Sequence, residues 1–228
     1  VGVGIPGAIS SSTGLVKNAN TTCLIGHALD TDLATAMARP VRLANDADCF
    51  TISEATDGAG QNHPIVFGVI LGTGCGGGIL VNGKLLSGPN AITGEWGHNP
   101  LPWPQTLDGG IDELPGPECY CSKKGCIETF VSGPGLERDY QTATGRKSTA
   151  AEIVALADTE ADKEAIASLY RYEHRLARAL SGVINVLDPD VIVLGGGMSN
   201  AARLYDTVPA LWGEWVFSDS VETQLVPA

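Results

Sequence analysis

A closely spaced set of cysteine and histidine residues constrains this 228-residue chain more than any other feature. Cys119, Cys121 and Cys126 follow the pattern C-x-C-x4-C, and His98 lies upstream in the segment Glu95-Trp-Gly-His98. Three thiolates and one imidazole are typical of a closed tetrahedral zinc site, which leaves no open position for a reactive water. The pattern therefore predicts a structural Zn2+ site that stabilises a loop.

Two carboxylates flank the predicted metal ligands. Glu95 lies three residues before His98, and Glu128 lies two residues after Cys126. A metal that holds these ligands would also hold both acids close together, so the sequence predicts a polar pocket beside the metal. The alternative is that these cysteines form the disulfides of a secreted domain or are merely buried thiols. It is disfavoured because three is an odd number and the other cysteines lie in aliphatic stretches, as small buried hydrophobic residues do.

Composition limits the possible compartments and partners. A net charge of -12 and a pI near 4.6 disfavour a nucleic-acid surface, which requires a basic patch. The hydrophobic fraction of 43% is sufficient for a core, and no uninterrupted apolar run is long enough to span a membrane. Without a signal peptide or a disulfide framework, we predict a cytoplasmic protein that binds small molecules.

An asparagine and an aspartate follow a short predicted strand over residues 40–43. Asn45 and Asp46 then lie at the start of a helix predicted over residues 48–58. One Asx residue at such a junction is the usual N-cap. A second one is not needed for capping, and a carboxylate at the mouth of a helix can act as a general base on a substrate hydroxyl. The residues alone leave both interpretations open.

A first glycine cluster follows the predicted buried strand over residues 65–71. It comprises Gly72, Thr73, Gly74, Gly76 and Gly77. A second strand over residues 79–81 and a hairpin turn at residues 82 and 83 come next. The loop therefore joins two strands and feeds no helix, unlike a P-loop or a Rossmann turn. It is either a flexible turn or a set of backbone amides that binds the phosphates of a nucleotide.

A second glycine cluster, Gly195, Gly196 and Gly197, follows a buried strand predicted over residues 190–194. Glycines at the carboxyl end of a strand lie where open α/β sheets bind ligands. Helices are predicted over residues 29–38, 149–157 and 164–187, and a final helix near Asn200. The apolar stripe of the 164–187 helix indicates a core or dimer face. Residues 132–135 are interpreted as a break between elements of regular secondary structure. No helix or strand is evident at the C-terminal end of the sequence.

A polar loop precedes the predicted helix over residues 29–38. Either Asn18 or Asn20 in this loop could hydrogen-bond a polyhydroxylated ligand. The order of these motifs along the whole chain resembles that of the ROK family, which contains sugar kinases and sugar-responsive repressors. The segments at residues 1–10, 16–20, 95–103 and 119–121 are most similar to the bacterial fructokinase (manno-fructokinase) branch. The Cys/His pattern is the most specific part of the resemblance.

The resemblance implies an α/β, actin-like (ribonuclease-H-like) fold with two lobes and a site in the cleft between them. Residues 1–62 would form the remainder of the small lobe, and residues 63–228 would form the large lobe. The implied activity is ATP-dependent phosphorylation of a hexose, with fructose and its 6-hydroxyl as the expected substrate. Asp46 would be the catalytic base, and the implied assembly is a homodimer.

The resemblance also implies roles for the remaining motif residues. Sugar hydroxyls would be bound by Asn45, Glu95, His98 and Glu128. Zinc would be held by His98, Cys119, Cys121 and Cys126. ATP with Mg2+ would place its phosphates near residues 72–77 and its adenosine near residues 195–197. A histidine can serve both sites because its two ring nitrogens are distinct.

Some family functions remain as alternatives, and the chain departs from the family in places. Glucokinase, N-acetylhexosamine kinase and a sugar-sensing repressor are the alternatives to fructokinase. Ser122 lies where the family usually has glycine. The family's opening Asp-x-Gly-Gly-Thr phosphate hairpin and its closing helix have no counterpart in the sequence. We therefore expect a fragment whose small lobe is incomplete at both ends and which phosphorylates sugar poorly by itself.

Overall fold

The computed structural model describes residues 1–19, 21–106 and 109–228, so Asn20 lies outside the described residues. The strands are β1 (Gly2–Ile5), β2 (Ala8–Ile9), β3 (Val16–Lys17), β4 (Arg42–Asn45), β5 (Ile65–Leu71), β6 (Cys75–Val81), β7 (Lys84–Leu85), β8 (Val191–Gly195) and β9 (Gln224–Pro227). The helices are α1 (Leu29–Met37), α2 (Asp46–Asp57), α3 (Glu128–Val131), α4 (Gly133–Thr144), α5 (Ala150–Asp158), α6 (Lys163–Leu187) and α7 (Leu204–Trp212).

The N-terminal region forms two small sheets around its own apolar cluster. Strand β1 pairs in parallel with β4, and β2 pairs antiparallel with β3. Ile5, Val16 and Ala19 are buried together and form the centre of this cluster. The pairing of β1 with β4 brings the end of β4 beside the turn that follows β1. The predicted lobe division at residues 62 and 63 stays a prediction.

The larger sheet has the strand order β7-β6-β5-β8-β9. Strand β5 is antiparallel to β6 and parallel to β8, with Ile70 opposite Gly195 in the register. The carboxyl ends of β5 and β8 therefore lie side by side. Because a glycine cluster follows each of these strands, the sheet brings the two clusters to one edge.

Both faces of the larger sheet are covered, which explains why β5 and β8 are continuous apolar runs. Helix α2 packs on one face, where the Thr51 hydroxyl lies over Gly68 and Gly78 so closely that neither could carry a Cβ. The main core lies on the other face and includes Phe67 and Leu194 together with residues of α4 to α7. These contacts fix the start of α2 relative to the tip between β5 and β6.

Helix α6 carries the predicted apolar stripe into the main core. Leu169, Leu176 and Leu180 have no measurable exposure. The same helix also buries three arginines that pair with two carboxylates, namely Arg171, Arg175, Arg178, Asp139 and Glu113. Buried charges of this kind are stable only when paired and hydrogen-bonded. The pairs hold the loop before Cys119 against the helix.

The structure corrects the interpretation of three segments. The chain end forms β9 beside β8, although its few apolar residues carry no strand signal by themselves. Helix α4 spans residues 133–144, so the segment 132–135, which was interpreted as a break, is the cap and first turn of a helix. The final helix begins at Leu204, after a single helical turn at Gly197–Asn200. Within the described ranges, no helix is long and apolar enough to cross a membrane.

Candidate active site

A polar cavity of about 260 Å³ lies where the ends of several elements meet. Among the residues that line it are nine predicted site residues and Asn18, namely Asn18, Asn45, Asp46, Gly72, Thr73, Gly74, Gly76, Glu95, His98 and Glu128. The fold thus brings together side chains that are as much as 110 positions apart in the sequence. We call this space the polar cavity.

The junction between β4 and α2 shows which of the two predicted residues caps the helix. The Asn45 Oδ1 atom accepts hydrogen bonds from the amides of Ala47 at 2.9 Å and Asp48 at 3.2 Å, so Asn45 is the N-cap. Its Nδ2 atom donates to the Gly7 carbonyl at 2.9 Å. Asp46 is the first helical residue and is exposed at the cavity wall. Its carboxylate is therefore not required as the cap.

Four potential metal ligands converge beside the polar cavity. The donor atoms of His98, Cys119, Cys121 and Cys126 all lie within 4.8 Å of one another. Cys119 Sγ is 3.6 Å from His98 Nδ1, and the sulfurs of Cys121 and Cys126 are 3.6 Å apart. Tetrahedral zinc would hold two thiolate sulfurs about 3.8 Å apart and a sulfur and a nitrogen about 3.5 Å apart. The donor set and its spacing fit zinc, and all four residues come from the predicted set.

The loop that carries the three cysteines is folded by its own backbone. The Cys119 amide donates to the Lys123 carbonyl at 2.8 Å, and the Ser122 amide donates to the Cys119 carbonyl at 2.9 Å. Ser122 has a φ of 71°, a left-handed conformation in which glycine carries no steric penalty. This conformation explains why a glycine is usual at that position. The loop forms with serine at a cost of about 1 kcal/mol or more.

The two ring nitrogens of His98 face different groups. Nδ1 lies toward the cysteine sulfurs, whereas Nε2 lies 2.9 Å from the hydroxyl of Tyr120. Glu95 Oε2 is 4.0 Å from the same Nε2 atom. Burial raises the pKa of Glu95, the nearby His98 lowers it, and the carboxylates of Glu128 and Asp46 raise it further. Tyr120 also lines the polar cavity, a position that sequence reasoning missed.

Glu128 connects the metal-ligand loop to the larger sheet. Its Oε2 atom accepts a hydrogen bond from the Cys75 amide at 3.0 Å, at the first residue of β6. Its Oε1 atom lies 3.9 Å from the Cys119 sulfur. A shift of the metal-ligand loop would therefore move a carboxylate of the polar cavity and release an amide beside the glycine loop.

The first glycine cluster is divided between a turn and a strand. Gly72, Thr73 and Gly74 form the turn, in which the Gly72 amide donates to the Gly74 carbonyl at 3.0 Å. Gly76 lines the polar cavity from within β6. Gly77 lies outside the cavity, and a Cβ there would meet Trp96 at 2.9 Å. That glycine allows close packing, and the Gly72 amide is already occupied by the turn.

A larger cavity of about 660 Å³ shares Gly72 and Thr73 with the polar cavity. Of the second glycine cluster, only Gly197 lines it. Gly195 faces Phe50, whose ring carbons would be 2.8 Å from a Cβ, and Gly196 has a φ of 85°. Gly195 permits the close packing of Phe50, and Gly196 permits the sharp turn after β8 that carries Gly197 to the cavity.

The start of α4 is a wall of the larger cavity that sequence reasoning missed. Ser132 is its N-cap and accepts a hydrogen bond from the Gly135 amide at 3.1 Å. Gly133, Pro134 and Glu137 line the cavity. Serine followed by proline in the first turn is a helix-start signal, and the amide end of a helix attracts anions. The Ser-Gly-Pro-Gly sequence that was interpreted as a break is therefore a helix start at the cavity.

Asp48 is a half-buried carboxylate beside the polar cavity. Burial raises its pKa from an ordinary value of 3.8 to about 6, and the carboxylates of Asp46 and Glu95 raise it as well. Among the described residues, its Oδ1 atom is buried without a hydrogen-bond partner. The folded chain thus holds this proton more tightly than the unfolded chain does. The contribution of Asp48 to stability is lost as the pH rises from about 4 through about 6.

We expect the substitution Asp48→Asn to stabilise the protein at pH 7.5 more than at pH 4. The neutral amide removes the charge that burial and the two neighbouring carboxylates disfavour at the higher pH. Urea denaturation of both proteins at the two pH values measures the difference in the free energy of unfolding. An Asp48→Asn variant that is less stable than the wild type at pH 7.5 would contradict this interpretation.

The ROK family model matches residues 1–228, which is the whole chain. This chain belongs to the ROK family. It is 41% identical over 209 residues to an N-acetyl-D-glucosamine kinase of Yersinia enterocolitica, a match that covers 92% of this chain and 68% of that protein. The relative is therefore longer than this chain. This relative is named for an N-acetylhexosamine, which is one of the predicted alternatives to fructose. The specific resemblance to fructokinase is therefore not confirmed.

Solved structures of the family share the fold of this chain. The ROK hexokinase of Thermus thermophilus is 27% identical, with a TM-score of 0.78 over 97% of this chain and 70% of that one. A ROK family transcriptional regulator, a homologue of the Escherichia coli MLC protein, is 25% identical, with a TM-score of 0.79 over 99% of this chain and 57% of that one. The predicted α/β, actin-like fold is confirmed.

Proposed function

We propose that this ROK protein transfers the γ-phosphoryl group of ATP to an N-acetylhexosamine, with N-acetylglucosamine as the preferred substrate. The observation that carries the proposal is one wall shared by two cavities. Gly72 and Thr73 border both the polar cavity, which is lined by Asp46, and the larger cavity, which is lined by Gly197 of the second glycine cluster. A sugar hydroxyl and a nucleotide phosphate can therefore meet at this wall.

The polar cavity suits a neutral ligand with many hydroxyl groups. Three carboxylates line it, from Asp46, Glu95 and Glu128, and they accept hydrogen bonds from sugar hydroxyls. No lysine or arginine is present among the described residues of its wall. A phosphorylated or acidic sugar would be repelled by this negative surface. The substrate class is thus an uncharged sugar.

The reacting hydroxyl would approach Asp46. Its carboxylate accepts the proton as the oxygen attacks the γ-phosphorus, and the phosphorus–oxygen bond to ADP breaks. Asn45 holds the start of α2 in place, so Asp46 keeps its position at the cavity wall. Glu95, Glu128 and the Nε2 atom of His98 orient the other hydroxyl groups. Mg2+, bound with ATP, would offset the negative charge of the phosphates.

The larger cavity suits an adenine nucleotide. Its apolar wall includes Ala150, Val154 and Met198, on which a base can pack. The Glu137 and Asp158 carboxylates can accept hydrogen bonds from ribose hydroxyls. The start of α4 and the turn at residues 72–74 offer main-chain dipoles for phosphates. The adenosine would therefore lie near Gly197, with the phosphates toward the shared wall.

A smaller cavity of about 110 Å³ supports an acetamido group on the sugar. It shares Asn45 and Glu95 with the polar cavity, and its wall includes the apolar side chains of Ile5, Ile9 and Leu43. An acetamido group has an apolar methyl and a polar amide, so it matches a wall of this mixed character. Fructose and glucose carry no group that would use the apolar part.

The four converging ligands support zinc as the structural metal of this site. A closed Cys3His set provides folding stability and no catalytic water. Zinc on His98 Nδ1 would leave Nε2 to the sugar, and zinc on Cys126 would fix Glu128 two residues later. ROK repressors share the fold, but the exposed Asp46 beside a nucleotide-sized cavity favours a kinase, since sensing alone requires no base.

Sugar binding and phosphoryl transfer can be tested with one panel. We expect isothermal calorimetry to show tighter binding of N-acetylglucosamine than of fructose or glucose. An ATP-dependent assay, with the 6-phosphate product identified by mass spectrometry, should give the same order. Tight binding without turnover would fit either a sensor or the fragment expected from the sequence, and the same assay on a version that carries the family's opening phosphate hairpin separates the two. Stronger binding and turnover of fructose would restore the fructokinase prediction.

We also propose that the protein is a homodimer. An apolar groove of about 740 Å³ lies between the end of α6 and residues 92–102, and within it Val186 is 89% exposed and Ile92 is 47% exposed. A second copy of the chain is the proposed occupant, as exposed apolar surface of this kind marks an interaction site. Sedimentation velocity should show a dimer that Val186→Glu converts to a monomer. A monomeric wild-type protein would contradict the proposal.

A further inference from the structure

Tyr120 makes an unusual contact for a side chain that is 63% exposed. Its hydroxyl lies 2.9 Å from His98 Nε2, and its ring meets the imidazole edge to face with centroids 5.0 Å apart. Both residues line the polar cavity. The phenol therefore has two contacts with one histidine, at the mouth of the space where the sugar would bind.

The contact occupies a hydrogen-bonding position that a sugar needs. An imidazole nitrogen has either one N–H or one lone pair, so in either tautomer Nε2 makes one hydrogen bond in the plane of the ring. The Nδ1 atom faces the Cys119 sulfur at 3.6 Å and is not available to the cavity. As long as Tyr120 is in place, His98 has no free nitrogen for a sugar hydroxyl.

The surroundings of Tyr120 allow its hydroxyl to be displaced. Tyr120 lies between two metal-ligand residues in a loop held by backbone hydrogen bonds, whereas its own side chain is largely exposed. Among the described residues, His98 is the hydrogen-bond partner of the Tyr120 hydroxyl. Rotation of the side chain into solvent would break that bond without disturbing the metal-ligand loop.

We infer that Tyr120 is a specificity-determining residue that competes with the sugar for His98 Nε2 and is displaced when the sugar binds. This inference rests on the proposed function, because it names the hydroxyl-bearing sugar as the competitor. The sugar that binds must replace the phenol's hydrogen bond with one of its own. A sugar that places no hydroxyl at Nε2 would not displace Tyr120. The tyrosine side chain would then narrow the mouth of the polar cavity for that sugar.

The substitution Tyr120→Phe tests the inference because it removes the hydroxyl and keeps the ring beside His98. We expect the variant to bind N-acetylglucosamine about two- to tenfold more tightly, the range of one net hydrogen bond. The near-ultraviolet tyrosine difference spectrum that sugar produces in the wild type should be lost. Calorimetry and difference spectroscopy measure the two effects without any need for turnover.

Tyr170→Phe is the matched control. Tyr170 is 52% exposed and packs on His174 with ring centroids 4.2 Å apart, yet it does not line the polar cavity. This variant should keep both the affinity and the difference spectrum of the wild type. A second variant, Tyr120→Ala, removes both the hydroxyl and the ring. It should also bind the sugar more tightly than the wild type if the ring only covers His98 and makes no contact with the sugar.

The outcomes separate this inference from the proposed function. Weaker sugar binding by the Tyr120→Phe variant would show that the hydroxyl is a direct ligand of the sugar, which overturns the competition. Unchanged affinity would overturn it as well. Failure of the wild-type protein to bind any sugar would instead overturn the proposed function, and the inference with it.

Discussion

Asp46→Asn is expected to reduce turnover by about 10²- to 10⁴-fold, the usual contribution of a general base, in a version of the protein that carries the family's opening phosphate hairpin. Sugar affinity should change only by a small factor, because the amide keeps the shape of the carboxylate but cannot accept the proton. Asn45 provides the helix cap, so the variant should fold. Calorimetry with the sugar and a steady-state assay with ATP measure the two effects separately.

Asp57→Asn is the control, since Asp57 is exposed at the opposite end of the same helix. It carries the same chemical change far from the polar cavity and should retain turnover. If Asp46→Asn phosphorylates sugar at a rate near that of the wild type, Asp46 is only a residue of the first helical turn. If it loses sugar binding instead, its carboxylate holds the substrate and another group accepts the proton.

Cys126→Ser is expected to abolish stoichiometric zinc binding, because serine lacks the thiolate that completes the four-ligand set. Cys126 is only 1% exposed, so the loop loses a buried anchor. Loss of a metal site is among the changes that cost more than about 4 kcal/mol, or a Tm decrease of roughly 8–16 °C for a chain of this length. Elemental analysis and thermal unfolding measure both effects.

The same variant should also lose sugar affinity, since Glu128 lies two residues after Cys126 and holds the Cys75 amide. Cys23→Ser is the control. Cys23 is an exposed thiol in a short helical turn that is distant in sequence from the three ligand cysteines. This variant should keep its zinc and its Tm. A wild-type protein without zinc, or a Cys126→Ser protein that retains it, would disprove the metal assignment.

The sequence by itself determined the four residues of the candidate metal site and most of the regular elements. The spacing of Cys119, Cys121 and Cys126 defined the donor set because thiolates at short separations can reach one ion. Strand β5 matched its predicted bounds, because a seven-residue run with six apolar side chains has the length of a buried strand and is too short for a typical buried helix. Local chemistry was sufficient at these positions.

The sequence left open which of Asn45 and Asp46 caps the helix, and only the tertiary structure assigned the cap to Asn45. An N-cap is defined by the backbone amides that its side chain reaches. The structure shows that the Asn45 side chain accepts hydrogen bonds from the amides of Ala47 and Asp48. The structure likewise divided the glycines. Positions 77 and 195 require glycine because Trp96 packs on the first and Phe50 packs on the second. These contacts depend on elements that are distant in sequence.

The contact of Tyr120 with His98 and the position of the start of α4 at the larger cavity were decided entirely by the tertiary structure. An exposed tyrosine between two cysteines has no pattern that relates it to a histidine 22 residues earlier. The N-terminus of α4 became a cavity wall because β5 and β8 end beside it, with the Gly133 amide bonded to the Gly72 carbonyl at 2.8 Å. Periodicity and spacing describe neighbours along the chain, whereas a binding site is defined by neighbours in space.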